Sequence, residues 1–578
     1  MKVRAPLSLA VPTVIRIPPG PSREVQTAAR SSAPPQKTPL DHGRERTAAL
    51  SLLLPFLAGA ALRLYQIRDQ IIADDEWHAL HQVLRSSYTA IFTHFGRSDY
   101  CIPLTAWYKL MAEHVYLSEM IMRAPVLLAG LFSLVLVPRL ARPFVGTAAS
   151  VACAWLLAIA PLHIYFSRYA RPYGVVMLLA FTGLMAFYRW WSGGGRGWAI
   201  LYGVCAAIGP YFHLAGAPVL LAPLGFALVE CLSRSGQVHR RLHELLLITL
   251  AIGAALAALL LPAFIADAYS LRAKTATEWA PFRATLDMTR LLAGVPSQPL
   301  LLLWGGGLLA GVISLARNNR RLLALLVIAI AAQIATFMFT RPLPRPVVMA
   351  RYLSPVLPLL LLFVAAGLAS VSHAVQVRIR RLPSPLIMTV VVAVFFFQGP
   401  VRATYYAPNA WTNHALFQYH YDAVEATEYL RLLRPTRISP FYEHLRSLPP
   451  SSTLVVEAPW YYEWHYNHYP LLQAFHRQRM IIGFTGPHAR AKLWGEVPLE
   501  TPGFAFRNFA HLSDLDRLEE RGVRYAILHK DLQHEIPNQN DCDPIDISPW
   551  IEEYRLRFGH PCFEDGKIVV FDLYPQQR

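Results

Sequence analysis

Three consecutive acids, Asp74, Asp75 and Glu76, follow directly on a stretch apolar enough to enter a bilayer, and Trp77 and His78 come next. A carboxylate at the edge of hydrocarbon is costly unless it is solvated or functional. Asp74 suits a helix cap, accepting hydrogen bonds from the free amides of a helix that begins at Glu76 or Trp77. Asp75, or Asp74 in its place, suits a general base that takes a proton from a hydroxyl or amine as it attacks carbon. Glu76 beside Asp75 would repel its charge and raise its pKa, as a base working near neutrality requires. His78 and His81 lie near the same helix start and fit either assistance in that chemistry or contact with lipid headgroups.

Three arginines stand in aromatic settings: Arg168 and Arg171 in "SRYARPY", and Arg351 in "ARYLSP". Guanidinium forks match phosphate oxygens and stabilise charge that develops on a leaving phosphate. Anchoring at a membrane interface explains any one of them equally well. Tyr169, Tyr173 and Tyr352 flank them. Lys274 and Glu278 in "DAYSLRAKTATEW" are further pocket candidates, or solvated loop charges. His213, ending an apolar run, suits an interhelical contact. The run "WYYEWHYNHY", 460–469, offers aromatic faces for a sugar or for packing. His465 and His468 have a metal-like spacing but no third ligand, so no metal is expected.

These residues need elements to hold them. The 578 residues are 54% apolar or aromatic and only 16% charged, against about 25% charged in soluble domains, so the fold expected is a polytopic α-helical membrane protein. Apolar runs of spanning length fall near 48–66, 121–140, 146–163, 172–191, 197–213, 214–232, 244–266, 297–315, 322–340, 353–372 and 385–401. The basic excess, +17 overall, collects in short connections such as "RNNRR" and "VRIRRLPS", which the positive-inside bias places in the cytoplasm. An odd number of crossings from a cytoplasmic N-terminus then puts the C-terminal tail outside. Nucleic-acid binding is excluded, since no basic-aromatic platform or zinc spacing occurs.

Residues 1–47, rich in Pro, Ser and Arg, read as a disordered basic cytoplasmic tail. Residues 48–401 form the membrane domain, with 67–120 as its first external loop. There Leu80, Leu84, Tyr88, Ile91, Phe92 and Phe95 recur at three- and four-residue steps, the pattern of one helix lying along the membrane surface. Residues 402–578 alternate helical and strand patterns, as in a small extracytoplasmic α/β domain. Cys153, Cys205 and Cys231 fall in apolar runs, whereas Cys542 and Cys562 lie in the polar tail and could pair in an oxidising compartment.

Four pieces in this order, "DDEW", "LSEMIMRAP", "SRYARPY" and "ARYLSPVLP", resemble GT-C membrane glycosyltransferases of the dolichyl-phosphate-mannose-protein mannosyltransferase and aminoarabinose transferase type (glycosyltransferase family 39). The resemblance covers most of residues 48–372. It implies an integral membrane enzyme of the plasma or inner membrane with its active site on the external face. Its donor would be a hexose or pentose on a polyprenyl phosphate, its acceptor a glycan, lipid or protein, and its outcome inversion. No cofactor is implied beyond the lipid-linked co-substrate, and no P-loop or Rossmann glycine pattern offers a nucleotide site. The family's acid pair aligns with Asp75 and Glu76 and points to Asp75 as base. A lipid transporter or flippase is the rival reading. Transporters gather ionisable groups near the midplane, whereas here the charged motifs sit at one surface.

Overall fold

The computed structural model describes residues 39–70, 72, 75–115, 117–233, 238–274, 279–379, 383–401, 438–458, 469–480, 519–520, 522–530 and 547–574. The chain enters the membrane domain on α1 (Pro39–Leu64), whose first turns lie within the stretch expected to be unstructured. The 67–120 segment then carries α2 (Glu76–Arg85), α3 (Tyr88–Thr93) and α4 (Ile102–His114). Next come α5 (Glu119–Ile159), α6 (Pro161–Arg168), α7 (Tyr173–Trp191), α8 (Arg196–Phe212), α9 (Ala217–Ser233), α10 (Val238–Arg272) and α11 (Phe282–Ala293). The domain closes with α12 (Gln298–Asn318), α13 (Arg320–Thr340), α14 (Pro346–Leu353), α15 (Leu357–Arg378) and α16 (Ser384–Gln398).

Each of the eleven apolar runs falls largely on one or two of these helices. Two of them share α5, which turns at Gly146, where φ is 82°. The Ser150 hydroxyl donates to the Pro138 carbonyl at 2.8 Å. In an unbroken helix those residues would lie about 18 Å apart at 1.5 Å per residue, so the two arms fold back on each other. Among the described residues seven helical segments are long and apolar enough to cross a membrane, with shorter apolar helices at Leu50–Leu64 and Pro385–Gln398. The chain is therefore an integral, multi-pass membrane protein.

The core lies along α7 and α15, which are apolar on all sides. Met177, Phe181, Leu184 and Phe187 of α7 are sealed together with Leu359, Leu362, Phe363 and Ala365 of α15. Gly311 on α12 and Gly367 on α15 let those helices meet main chain to main chain, since a Cβ at either would run into the other's backbone.

The 67–120 segment departs from the single surface helix expected of it. The chain breaks at Ser86–Ser87, where the Ser87 hydroxyl caps α3 by accepting from Ala90 N–H at 3.2 Å. Leu80 is buried in a cluster with Tyr108 and Met122, and Ile91 and Phe95 pack with Leu260 and Ala263 of α10. Phe92 remains exposed, while the side chain of Leu84 lies outside the described residues. The periodicity was thus a signal of burial against neighbouring helices rather than of contact with lipid.

The tail contains α17 (Pro440–Ser447), β1 (Leu454–Ala458), α18 (Tyr469–His476), β2 (Arg479–Met480), β3 (Tyr525–His529), α19 (Ser548–Phe558), β4 (Phe563–Glu564) and β5 (Ile568–Asp572). The five strands form one sheet in the order β2-β1-β3-β5-β4. β1 pairs in parallel with β2 and β3, and β5 runs antiparallel to β3 and β4. The "LVVEA", "YAILH" and "IVVFD" strands are the ones the alternation of patterns suggested. Inside, the buried Glu457 carboxylate accepts from Tyr442 Oη at 2.9 Å and lies 2.8 Å from His529 Nε2. The 460–469 aromatic run and Cys542 lie outside the described side chains, and Cys562 is a free thiol.

Replacing Gly367 by Val should cost about 1–3 kcal/mol of stability, the usual penalty of overpacking. It should appear as a lowered Tm in detergent, and an unchanged Tm would show that α12 and α15 can separate freely.

Candidate active site

Residue 75 precedes α2 at its N-cap position, in helical φ/ψ and with no capping bond from its side chain. The reading of Asp74 as the helix cap lies outside the described residues. The α2 start is fixed by the next residue, Glu76. Its carboxylate is sealed from solvent and takes Arg123 in a fork, Nε to Oε1 at 3.3 Å and Nη2 to Oε2 at 3.0 Å. Oε1 also accepts the Ala170 N–H at 2.7 Å. Ala170 adjoins Arg171 as Glu76 adjoins Asp75. One buried carboxylate thus brings the candidate base and a candidate phosphate ligand side by side.

Around Asp75 the charges alternate. Its carboxylate is ion-paired with Arg351, from the last turn of α14. Arg171 donates through Nη1 to the Asp75 main-chain carbonyl at 3.3 Å and to the Asp99 carboxylate. His78 Nδ1 lies 3.9 Å from Asp99 Oδ1. Beneath the charges is an aromatic floor. The His213 ring lies 5.1 Å from Tyr173 and 5.7 Å from Tyr352, measured between centroids. Gln333, a buried amide on apolar α13, holds this floor by donating to the carbonyls of Ala215 and Tyr352 at 2.9 and 2.8 Å. At the rim, the Lys274 ammonium sits 4.7 Å over the Tyr100 ring.

Electrostatics reverse one expectation. Glu76 does not raise the Asp75 pKa by repulsion, because Arg123 already balances its charge. Burial by itself would lift the Asp75 carboxyl, but Arg351 and then Arg171 outweigh it and hold the group below the ordinary carboxylate range. The His213 Nδ1 accepts from the Ala215 N–H at 3.1 Å.

The structure thus gathers Asp75, Arg171, Arg351, His78, Tyr173 and Tyr352, with Lys274 near enough to feel the charges of Asp75, Arg351 and Arg171. It sends Arg168 elsewhere. That guanidinium is buried, donating to Gln70 Oε1 at 3.1 Å and to the carbonyls of Leu62 and Tyr65 at 3.2 and 2.8 Å. It braces the exit of α1, as Arg63 does by donating to Gly59, Ala158 and Leu157 carbonyls. The reason is position: Arg168 ends α6 facing a helix terminus with unpaired carbonyls. Tyr169 stacks on Tyr165 at 4.8 Å. The Trp77 side chain and Glu278 lie outside the described residues. Sequence reasoning missed Asp99 and Arg123. Asp99 is the sole acid between Glu76 and Glu113, and Arg123 is a lone charge entering an apolar run, a position that demands a partner.

No family model and no curated protein matches the chain. Among solved structures, ArnT from Cupriavidus metallidurans bound to undecaprenyl phosphate is similar at 14% identity and TM-score 0.44, over 92% of this chain and 98% of that one. The archaeal oligosaccharyltransferase AglB from Archaeoglobus fulgidus, in complex with an inhibitory peptide and a dolichol-phosphate, is similar at 14% identity and TM-score 0.45, over 85% and 70%. Arabinofuranosyltransferase AftD from Mycobacteria is similar at 16% identity and TM-score 0.41, over 92% and 41%.

Glu76→Gln should remove the partner of a sealed arginine and cost about 3–5 kcal/mol. Asp75→Asn, at a half-open ion pair, should cost about 1 kcal/mol or less. Thermal unfolding of the two variants in the same detergent checks this, and equal losses would remove the distinction drawn between the two acids.

Proposed function

We propose that the protein is a membrane glycosyltransferase that moves a sugar from a polyprenyl-phosphate donor to an acceptor on the extracytoplasmic face. The observation that carries the reading is a carboxylate, Asp75, set against two guanidinium groups over a floor of Tyr173, His213 and Tyr352. A base and an anion site share one cluster. The sequence resemblance to GT-C enzymes, through "DDEW", "SRYARPY" and "ARYLSPVLP", supports it independently of the geometry.

In this reading the donor phosphate binds Arg351 and Arg171, the forks that match its oxygens. Doing so draws positive charge away from Asp75 and raises its pKa from the depressed value, strengthening the base when the donor is present. The acceptor O–H or N–H gives its proton to Asp75 as the oxygen or nitrogen bonds to the anomeric carbon. The anomeric C–O bond breaks, its electron pair passes to the phosphate oxygen, and the arginines stabilise that charge. Attack from the face opposite the phosphate inverts the anomeric centre. A hexose or pentose would suit the site, and a glycan, lipid or protein the acceptor position. The guanidinium groups carry the charge on the phosphate, and no resident metal is part of this mechanism. In this reading the sheet-bearing tail lies outside the cytoplasm, which the basic connections and the odd number of apolar runs support.

Asp75→Asn should lower turnover about 10²–10⁴-fold, the contribution of general-base catalysis, at unchanged protein level. Comparison of lipid-linked glycans by mass spectrometry in cells making either protein reads the outcome, and normal glycans from the Asp75→Asn variant would end the base assignment. Turnover should also survive chelation with EDTA, whereas abolition restored by a divalent cation would add a metal to the mechanism. A reporter active only outside the cytoplasm, fused after Arg578, should be active, and a silent one would reverse the topology.

A further inference from the structure

We propose that Asp99 is a positioning residue of the transfer site: it is the standing counter-ion that keeps the Arg171 fork off the Asp75 carboxylate and available to the donor phosphate. The inference rests on the transferase reading above and assigns the one buried acid of the cluster that this reading leaves without a role.

Asp99 is built in rather than incidental. It is 5% exposed, and its backbone is left-handed, with φ 48°, a conformation that costs most residues energy and persists where the surroundings enforce it. Those surroundings are explicit. Gly96 N–H donates to Asp267 Oδ2 at 2.8 Å, and Tyr100 Oη donates to the Ser270 carbonyl at 3.1 Å. Both tie the 96–100 turn to α10, at the point where Asp267 interrupts the helix with φ −146°. Within the turn the Ser98 carbonyl accepts from Cys101 N–H at 2.9 Å and from Thr105 Oγ1 at 2.7 Å. The Asp99 carboxylate is thereby presented to Arg171 from a rigid loop.

The consequence falls on Arg171. Its contact with residue 75 is to the main-chain carbonyl, while its carboxylate partner is Asp99. Its Nε is buried and has no hydrogen-bond partner among the described residues. An unpaired buried N–H is costly, and an incoming phosphate oxygen would satisfy it. Without the Asp99 charge, the next carboxylate for this guanidinium is that of Asp75, on which Arg171 already acts. Collapse onto Asp75 would withdraw the fork from the phosphate and mask the base at the same time.

The test uses farnesyl phosphate as probe and the full-length protein in detergent, so that binding is read without turnover. Asp99→Asn should weaken farnesyl phosphate binding about tenfold, the loss of one charge-assisted contact. In an Asp75→Asn background the same change should not weaken it, because the fork has no carboxylate to collapse onto. Asp99→Glu should bind within about twofold of wild type. Equal weakening in both backgrounds would mean a structural role and overturn the proposal, as would unchanged or tighter binding by Asp99→Asn alone. Failure of Asp99→Asn to fold, with Asp99→Glu also defective in binding, would overturn it too. A wild-type protein that does not bind farnesyl phosphate would sink the transferase reading and this inference with it, whereas binding without the predicted dependence on Asp75 would sink the Asp99 assignment alone.

Discussion

The Glu76 carboxylate, sealed from water, accepts from the Arg123 fork and from the Ala170 main chain, and the geometry of the charged cluster follows from those three bonds. A buried carboxylate is tolerable when its charge is balanced and its lone pairs are filled, and here both conditions hold. The cost of breaking the arrangement gives it rigidity. That rigidity passes to the neighbouring residues on each side, Asp75 at the head of α2 and Arg171 just before α7. Two segments almost a hundred positions apart are thus held at side-chain contact without any direct bond between Asp75 and Arg171 side chains.

The arginines at this end of the helices divide by burial. Arg63, Arg123 and Arg168 are fully enclosed, with donors directed at main-chain carbonyls and at the side chains of Ser167, Glu76 and Gln70. They fasten α1 and the 66–70 turn to α5 and α6. Gln70 joins the set by donating to the Arg168 carbonyl at 3.1 Å while accepting from Arg168 Nε. Arg171 and Arg351 stand at the edge of this network, next to carboxylates. The enclosed group builds the platform, and the two at its edge are those a phosphate could reach in the proposed reading.

The same constraint sets the state of Asp75. Its carboxylate is held in a partly exposed ion pair with Arg351, and Arg351 and Arg171 together depress its pKa. The floor below it is aromatic, with the His213 ring set between Tyr173 and Tyr352. In the proposed reading such a cluster is preorganised for an anion, and binding the donor would prepare the group that acts on the acceptor.

Much of this was legible in the sequence. Composition and run length determined a multi-pass helical protein. The breaks between the apolar runs marked chain reversals, and the strand patterns of the tail marked a sheet. The acid run and the two arginine motifs pointed to the residues that meet, because charged groups at the ends of apolar helices must be paired, solvated or functional. What the sequence could not decide was which charge pairs with which. Asp75 and Glu76 are adjacent and alike in type, yet the first turn of α2 points one to Arg351 and the other to Arg123. Arg168 and Arg171 share a motif, yet one faces the end of α1 and the other faces Asp99. Those partners lie from 47 to 276 positions away, and only the packing of α2, α5, α7 and α14 brings them within reach. Local pattern fixes where a charge enters the structure, while tertiary contact fixes what neutralises it, and so which acid is a sealed strut and which stands at the edge of the charged cluster.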